Sequence, residues 1–266
     1  MKNIRYALRK IALTTTVLFL GSLIASSLRA GEVLENVVEK RFPLAPSGTF
    51  SLRAIDGTVE IFGTDSPEVK IVAVKKAFSP ERLNAIAIRV DARPNVVNIE
   101  TTPPPVPHHH FSDRSGTVEY TINIPQTARI ARIELPNGEL VIDGMRGASI
   151  AANLSSGQLV THNCFCDQTI HVNQGELNVF FDWMEERPIS IEAKIEDGNL
   201  SARLPTDAAF HLQAVAKEGH VSSDFSPMEN RKGDDSEINE VIGDDATTKL
   251  SFRAGEGNIH VSEVIW

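Results

Sequence analysis

Ser156-Gly157-Gln158-Leu159, Gln174-Gly175-Glu176-Leu177 and Asp197-Gly198-Asn199-Leu200 repeat one pattern: a polar residue, Gly, any residue, then an aliphatic one. It recurs at Asp56-Gly57-Thr58-Val59, Ser115-Gly116-Thr117-Val118, Asn137-Gly138-Glu139-Leu140, Glu218-Gly219-His220-Val221 and Glu256-Gly257-Asn258-Ile259. From Gly138 onward the glycines are spaced by 19, 18, 23, 21 and 38 residues, the last interval being twice 19. An aliphatic residue two after a Gly is common by chance, so the spacing is the stronger signal. A period of about twenty marks stacked supersecondary units.

Apolar residues alternate on both sides of each Gly. Ile189-Ile191-Ala193-Ile195 and Phe210-Leu212-Ala214 precede one, and Leu140-Ile142, Leu177-Val179 and Leu200-Ala202-Leu204 follow one. Period two is the signature of half-buried strands, and a Gly beside Asn, Asp or Ser turns the chain where a side chain would clash. One rung is therefore a strand, a Gly corner and a second strand. Two architectures fit. In an antiparallel meander each Gly is a hairpin; in an all-β solenoid, a single-stranded parallel β-helix-like stack, each Gly is a bend and strands pair one period away. Matching apolar offsets in neighbouring repeats favour the solenoid. Seven rungs from about residue 130 to the C-terminus would span roughly 30 Å at the ~4.8 Å strand spacing.

Residues 31–130 form a less regular β region with a short helix at Ser79-Pro80-Glu81, where Ser caps and Pro opens the first turn. A Pro/His-rich loop, 101–115, interrupts it because its prolines lack ladder donors. Residues 131–266 hold the regular repeats, with an acidic insertion at 226–248. The N-terminal region is expected to cap one end of the stack, since an open end exposes unpaired edges.

The first thirty residues read as an address. Lys2, Arg5, Arg9 and Lys10 precede an apolar run from Ile11 to Ile24, and Ala25-Ser26-Ser27 or Leu28-Arg29-Ala30 offer small-residue cleavage sites. That is the anatomy of a secretory signal peptide over 1–30. The run is short of the roughly 20 residues that span a bilayer, so an uncleaved anchor is the second option. No Cys follows it to carry a lipid. The expected location is exported, in the periplasm or at the cell surface, with membrane contact only if the segment stays uncleaved.

Net charge is −9 over the 266 residues. Without the first thirty, 21 basic residues face 35 acidic ones, about −14, which disfavours nucleic acid and anionic membrane as partners. Tyr and Trp number two each, too few for the usual platforms on which sugars or bases stack.

Candidate chemistry is sparse. His108, His109 and His110, with Asp113, could ligate a metal, but consecutive residues on an extended segment splay apart. Seven carboxylates from Glu229 to Asp245 match no calcium loop. Cys164 and Cys166 would sit roughly 6.6 Å apart in a strand, the upper limit of disulfide geometry, so a bond needs a local turn; otherwise they are small buried hydrophobes. His162 and Asp167 lie nearby, without a four-ligand zinc spacing. Ser155-Ser156-Gly157 is a corner, not a nucleophile elbow. Asp143, Glu176, Asp182 and Glu192 could line a polysaccharide-cleaving face. His171 and His211 alternate with apolar neighbours and should point outward. Trp266 is expected to cap the last rung. No cofactor is expected.

Thr117-Val118-Glu119-Tyr120-Thr121-Ile122-Asn123-Ile124-Pro125, Glu134-Leu135-Pro136-Asn137-Gly138-Glu139-Leu140-Val141-Ile142-Asp143-Gly144 and Gly255-Glu256-Gly257-Asn258-Ile259-His260-Val261 resemble the bacterial adhesin domain of unknown function, β-strand-repeat proteins related to head-domain GIN adhesins. The similarity runs from about Gly48 to Val261. It implies an exported β-solenoid and an adhesin-like role, and brings no catalytic residues. The leading expectation is a non-enzymatic envelope or surface protein that presents a rigid face to an unknown macromolecule. The alternatives are a membrane-tethered envelope-stress or regulatory accessory protein and a polysaccharide-acting β-helix enzyme.

Overall fold

The alternating stretches form strands, and which strands pair decides the architecture. The computed structural model describes residues 32–107, 109, 112–226 and 236–264. The address segment and Trp266 lie outside those residues. Strands β1 (Leu34–Pro43), β2 (Thr49–Arg53), β3 (Gly57–Thr64) and β4 (Glu68–Ala77) lead to a short helix, α1 (Pro80–Ala85). Then come β5 (Ala87–Arg93), β6 (Val96–Thr102), β7 (Thr117–Pro125), β8 (Arg129–Asp143), β9 (Ser149–His162), β10 (Asp167–Phe180) and β11 (Ser190–Pro205). The chain ends through β12 (Phe210–Glu218), β13 (Val221–Ser223), β14 (Glu237–Ile242), β15 (Thr248–Glu256) and β16 (Ile259–Val264). Among the described residues no helix is long and apolar enough to cross a membrane.

Strands β8, β9, β10 and β11 pair in parallel, each with the next repeat, and not antiparallel within a repeat. Gly57, Gly138, Gly157, Gly175 and Gly198 stand opposite one another in unbroken register. Both halves of a rung face one core: Ile191, Ala193 and Ile195 before Gly198 and Leu200, Ala202 and Leu204 after it are buried, while Glu192, Lys194 and Glu196 stay outside. Burying each large aliphatic side chain contributes about 1.5–3 kcal/mol, and register places like on like along the stack. The corner requires Gly: at Gly157, with φ 131°, a Cβ would run into the Gly138 carbonyl oxygen. The sheet is open, and the pattern is solenoid-like.

Two expectations need correction. Rungs do not stack in chain order at the C-terminal end. Strands β15 and β16 pair with β11, and β12 and β13 lie beyond them, so the last repeat in sequence is inserted between its two predecessors. The 38-residue interval therefore holds no further rung among the described residues. Its described part, in the acidic insertion, supplies β14, which pairs antiparallel with β12 and covers that end. Counting repeats assumed that neighbours in sequence are neighbours in space.

Gly116 also leaves the column. Although its φ is 147°, Val118 occupies the place opposite Gly57 and donates its N–H to the Asp56 carbonyl at 3.1 Å. In this rung the Pro-rich loop replaces the tight corner between β6 and β7, and Gly116 packs against Pro104 within it. The rung stacks on the other side of β2 and β3, which pair in parallel with β8 as well. The boundary near residue 130 thus does not interrupt the stack. Antiparallel β4 and β1 beyond β7, and β5 beyond β6, finish this end.

Cys164 and Cys166 follow the buried-hydrophobe reading and form no disulfide. Both thiols are free and buried. The Cys164 Sγ is turned toward two backbone carbonyls, those of Ile142 at 3.4 Å and His162 at 3.3 Å, and not toward Cys166.

Candidate functional site

Side chains four residues before each corner glycine point out of the stack, and exact register brings them into one line. Arg53 stands opposite Glu134, Glu134 opposite Asn153, Asn153 opposite His171, His171 opposite Lys194, and Lys194 opposite Arg253. Six polar side chains from six neighbouring rungs thus form a row about 24 Å long at ~4.8 Å per step. The row runs along a trough made of three adjoining depressions of 390, 440 and 260 Å³. The first two share Asn153, and the second and third share Lys194 and Arg253.

Charge is unevenly distributed along this trough. At one end Glu134 accepts from Arg53 Nε at 2.9 Å and Arg132 Nε at 2.7 Å. Burial alone would raise the Glu134 carboxyl, but these guanidinium bonds hold it below the ordinary range. That end is internally neutralised. In the other half Glu196 bonds Lys194 and lies 3.2 Å from His171 Nε2; Lys194 foremost, then His171, lower its carboxyl. Arg253 and Lys217 line the trough without an ion pair among the described residues. Lys194, Arg253 and Lys217 meet Glu192 and Glu196 in this lining, a local excess of one cation in an acidic chain, and Glu237 stands just beyond it, opposite Val215.

A second cluster lies at the far ends of β8, β9 and β10. His162 sits between two carboxylates, with Nδ1 3.0 Å from Asp143 Oδ1 and Nε2 2.9 Å from Asp182 Oδ2. Both contacts are hydrogen bonds at once only when each ring nitrogen carries a proton. Asn163, in the left-handed region at φ 47°, donates to Asp182 at 2.9 Å and accepts from its backbone N–H at 2.9 Å. The Asn163 bond foremost lowers the Asp182 carboxyl, with His162 adding to it against burial. Beside the cluster, Phe165 packs on Phe181 and Trp183 at 5.3 and 5.6 Å between ring centroids, and Arg146 lies over Phe165 while pairing with Glu185.

The proposed cleaving carboxylates are only partly united. Asp143 and Asp182 meet, but through His162, whose imidazole fills the space between them. Glu176 and Glu192 sit elsewhere, one beside a corner and one in the trough. His171 and His211 do face outward. His108 and His110 lie outside the described residues, and Asp113 is engaged by the Ser115 N–H at 2.8 Å. Glu229, Asp234 and Asp235 also lie outside them. Asp244 and Asp245 join Glu185, Glu186 and Asp207 around a 560 Å³ depression whose cation, Arg187, faces Glu185 at 3.9 Å. No group of three or more His, Cys, Asp or Glu side chains suited to a metal occurs among the described residues.

The trough row was missed in the sequence. Its signal was available: counting back four from Gly57, Gly138, Gly157, Gly175, Gly198 and Gly257 finds a charged or hydrogen-bonding residue each time.

A family model described as Toastrack DUF4097 matches residues 47–262. No curated protein matches the chain. Among solved structures, a candidate cell adhesion protein from Clostridium sporogenes ATCC 15579 is similar over 88% of this chain and 100% of its own, at 13% identity and a TM-score of 0.52. Candidate adhesins from Bacteroides fragilis NCTC 9343 and Parabacteroides distasonis ATCC 8503 each align with 86% of this chain and 97% of their own, at 8% and 12% identity and TM-scores of 0.25 and 0.24.

Proposed function

Since the chain belongs to the Toastrack DUF4097 family, whose name carries no activity, we propose from its own surface that it is an exported, non-enzymatic envelope or surface protein. Its β-solenoid holds the trough as a rigid contact face for another macromolecule. The observation that carries this reading is the row from Arg53 to Arg253, one side chain per rung, fixed by backbone ladders. Such a row is preorganised in its backbone, so ordering of the long side chains, and none of the main chain, remains to oppose binding. Export rests on the basic and apolar opening of the sequence. The adhesion description of the Clostridium protein with this fold accords with a contact role.

Contact is favoured over polysaccharide cleavage because Asp143 and Asp182 are both committed to His162, which leaves neither a free acid nor a water-sized gap between them. Binding of the purified chain to intact cells and isolated envelope fractions tests the reading. Combined Lys194→Gln, Arg253→Gln and Lys217→Gln should abolish most binding, and undiminished binding by that variant would reject the trough as the contact face.

A further inference from the structure

We propose that the electropositive half of the trough binds a linear polysaccharide bearing carboxylates, a uronic-acid polymer. This deepens the contact-face reading and rests on it. Lys194 and Arg253 are directly opposed on neighbouring strands, and Lys217 lies two positions further along the next strand from Val215, the partner of Arg253. These cations therefore advance along the stack at about one strand spacing, ~4.8 Å. That regular advance suits a polymer repeating its charge along an extended axis better than a compact ion.

The Arg253 guanidinium is unpaired among the described residues, and its planar fork matches a carboxylate through two parallel bonds. Beside the cations, Asn153 and His171 on the two strands before Lys194, and Ser251 on the strand of Arg253, supply hydrogen-bonding groups for hydroxyls. Recognition by charge and hydroxyl also fits a lining without aromatic side chains, the feature that disfavours neutral glycans held by stacking. A protein partner would call for a buried aromatic or aliphatic anchor pocket, and in this half of the trough only Val215 presents an aliphatic side chain, Ile170 and Ala193 being turned into the core. The acidity of the whole chain does not forbid this ligand. At physiological salt, charges more than about 8 Å away are largely screened, whereas bonded pairs are not.

Affinity electrophoresis of the purified chain through gels containing polygalacturonate tests the proposal, with its fully methyl-esterified form and poly-L-glutamate as comparison matrices. Retardation by polygalacturonate, weaker at high salt and absent with the ester, is expected. Lys194→Gln and Arg253→Gln should each weaken it about ten-fold, as expected for a lost charged hydrogen bond, while Arg41→Gln on β1 leaves it unchanged. All three substitutions are at the surface, and unchanged melting temperatures confirm folding. Equal retardation by the ester, stronger retardation by poly-L-glutamate, or insensitivity to Lys194→Gln and Arg253→Gln would overturn the proposal. Absence of retardation combined with trough-dependent binding to envelope fractions would overturn the uronate ligand alone; loss of both would remove the contact-face reading too.

Discussion

Gly157 lies against Gly138 so closely that its missing Cβ is what allows the two rungs to pair. Gly157→Ala should therefore cost at least about 3 kcal/mol, because backbone carbonyl and not a yielding side chain blocks the new methyl group. Gly144 is the contrasting case. Its φ is 70°, yet a Cβ there meets nothing closer than the Gly63 carbonyl oxygen at 3.8 Å. Gly144→Ala should cost only about 1 kcal/mol of left-handed strain. Urea unfolding of the two variants compares a corner that is both blocked and strained, at φ 131°, with one that is strained only; equal costs would refute the packed glycine column.

The buried thiols make a prediction about alkaline pH. Burial pushes Cys164 up to about 12 and raises Cys166 as well, and it pushes Tyr120 up to about 12. Raised folded values favour the protonated forms, so the stabilisation is complete below the unfolded thiol value of about 8.5 and is lost as pH rises toward 12. Stability should decline above about pH 8.5, and less steeply in a Cys164→Ala, Cys166→Ala variant. Thiol reagents should label neither residue in the native protein and both after unfolding. Fast native labelling, or a disulfide in the mass spectrum, would contradict the buried free pair.

For the His162 cluster the sign is opposite. Asp182 is held low, so its contribution is present above the unfolded carboxylate value of about 3.9 and fades as pH falls below it. Asp182→Asn should destabilise by about 0.5–1 kcal/mol near neutral pH, modest because the side chain is 39% exposed and solvent-screened. The difference from the unsubstituted chain should vanish in strong acid. A pH-independent difference would mean that Asp182 acts through packing alone.

Outward residues of the trough should be separable from stability. Arg253→Gln, on an exposed face without an ion pair among the described residues, is expected to shift unfolding by less than about 0.5 kcal/mol. Thermal melts check this, and a larger loss would make Arg253 a structural residue.

Much of the rung was legible because alternation and corner glycines are local. The run Ile191, Ala193, Ile195, Gly198, Leu200 and Ala202 announces two half-strands and a bend without reference to the rest of the chain. Which rung neighbours which was not legible. Leu250 and Ile259 look like the next repeat after Val221, but β15 enters between β11 and β12, and β16 between β11 and β13, a choice set by long-range pairing. Gly116 fits the corner pattern and serves a loop, since its neighbours Pro103 to Pro107 exclude a tight bend. Register hid the trough for the same reason. Lys194 and Arg253 are 59 positions apart in sequence and become partners only through parallel pairing. Asp143 and Asp182 stand out in the sequence as acids, whereas the imidazole that joins them, His162, stands out only as a neighbour of the cysteines.

The contact face itself is tested most directly by lysine acylation footprinting of the chain bound to the envelope fraction that captures it. Lys194 and Lys217 lie in the trough, and Lys70 and Lys76 on β4 at the far end serve as internal references. Protection of Lys194 and Lys217, with Lys70 and Lys76 still reactive, is the expected result. Protection confined to Lys70 and Lys76, or uniform at all four, would contradict the trough as the surface through which this stack makes contact.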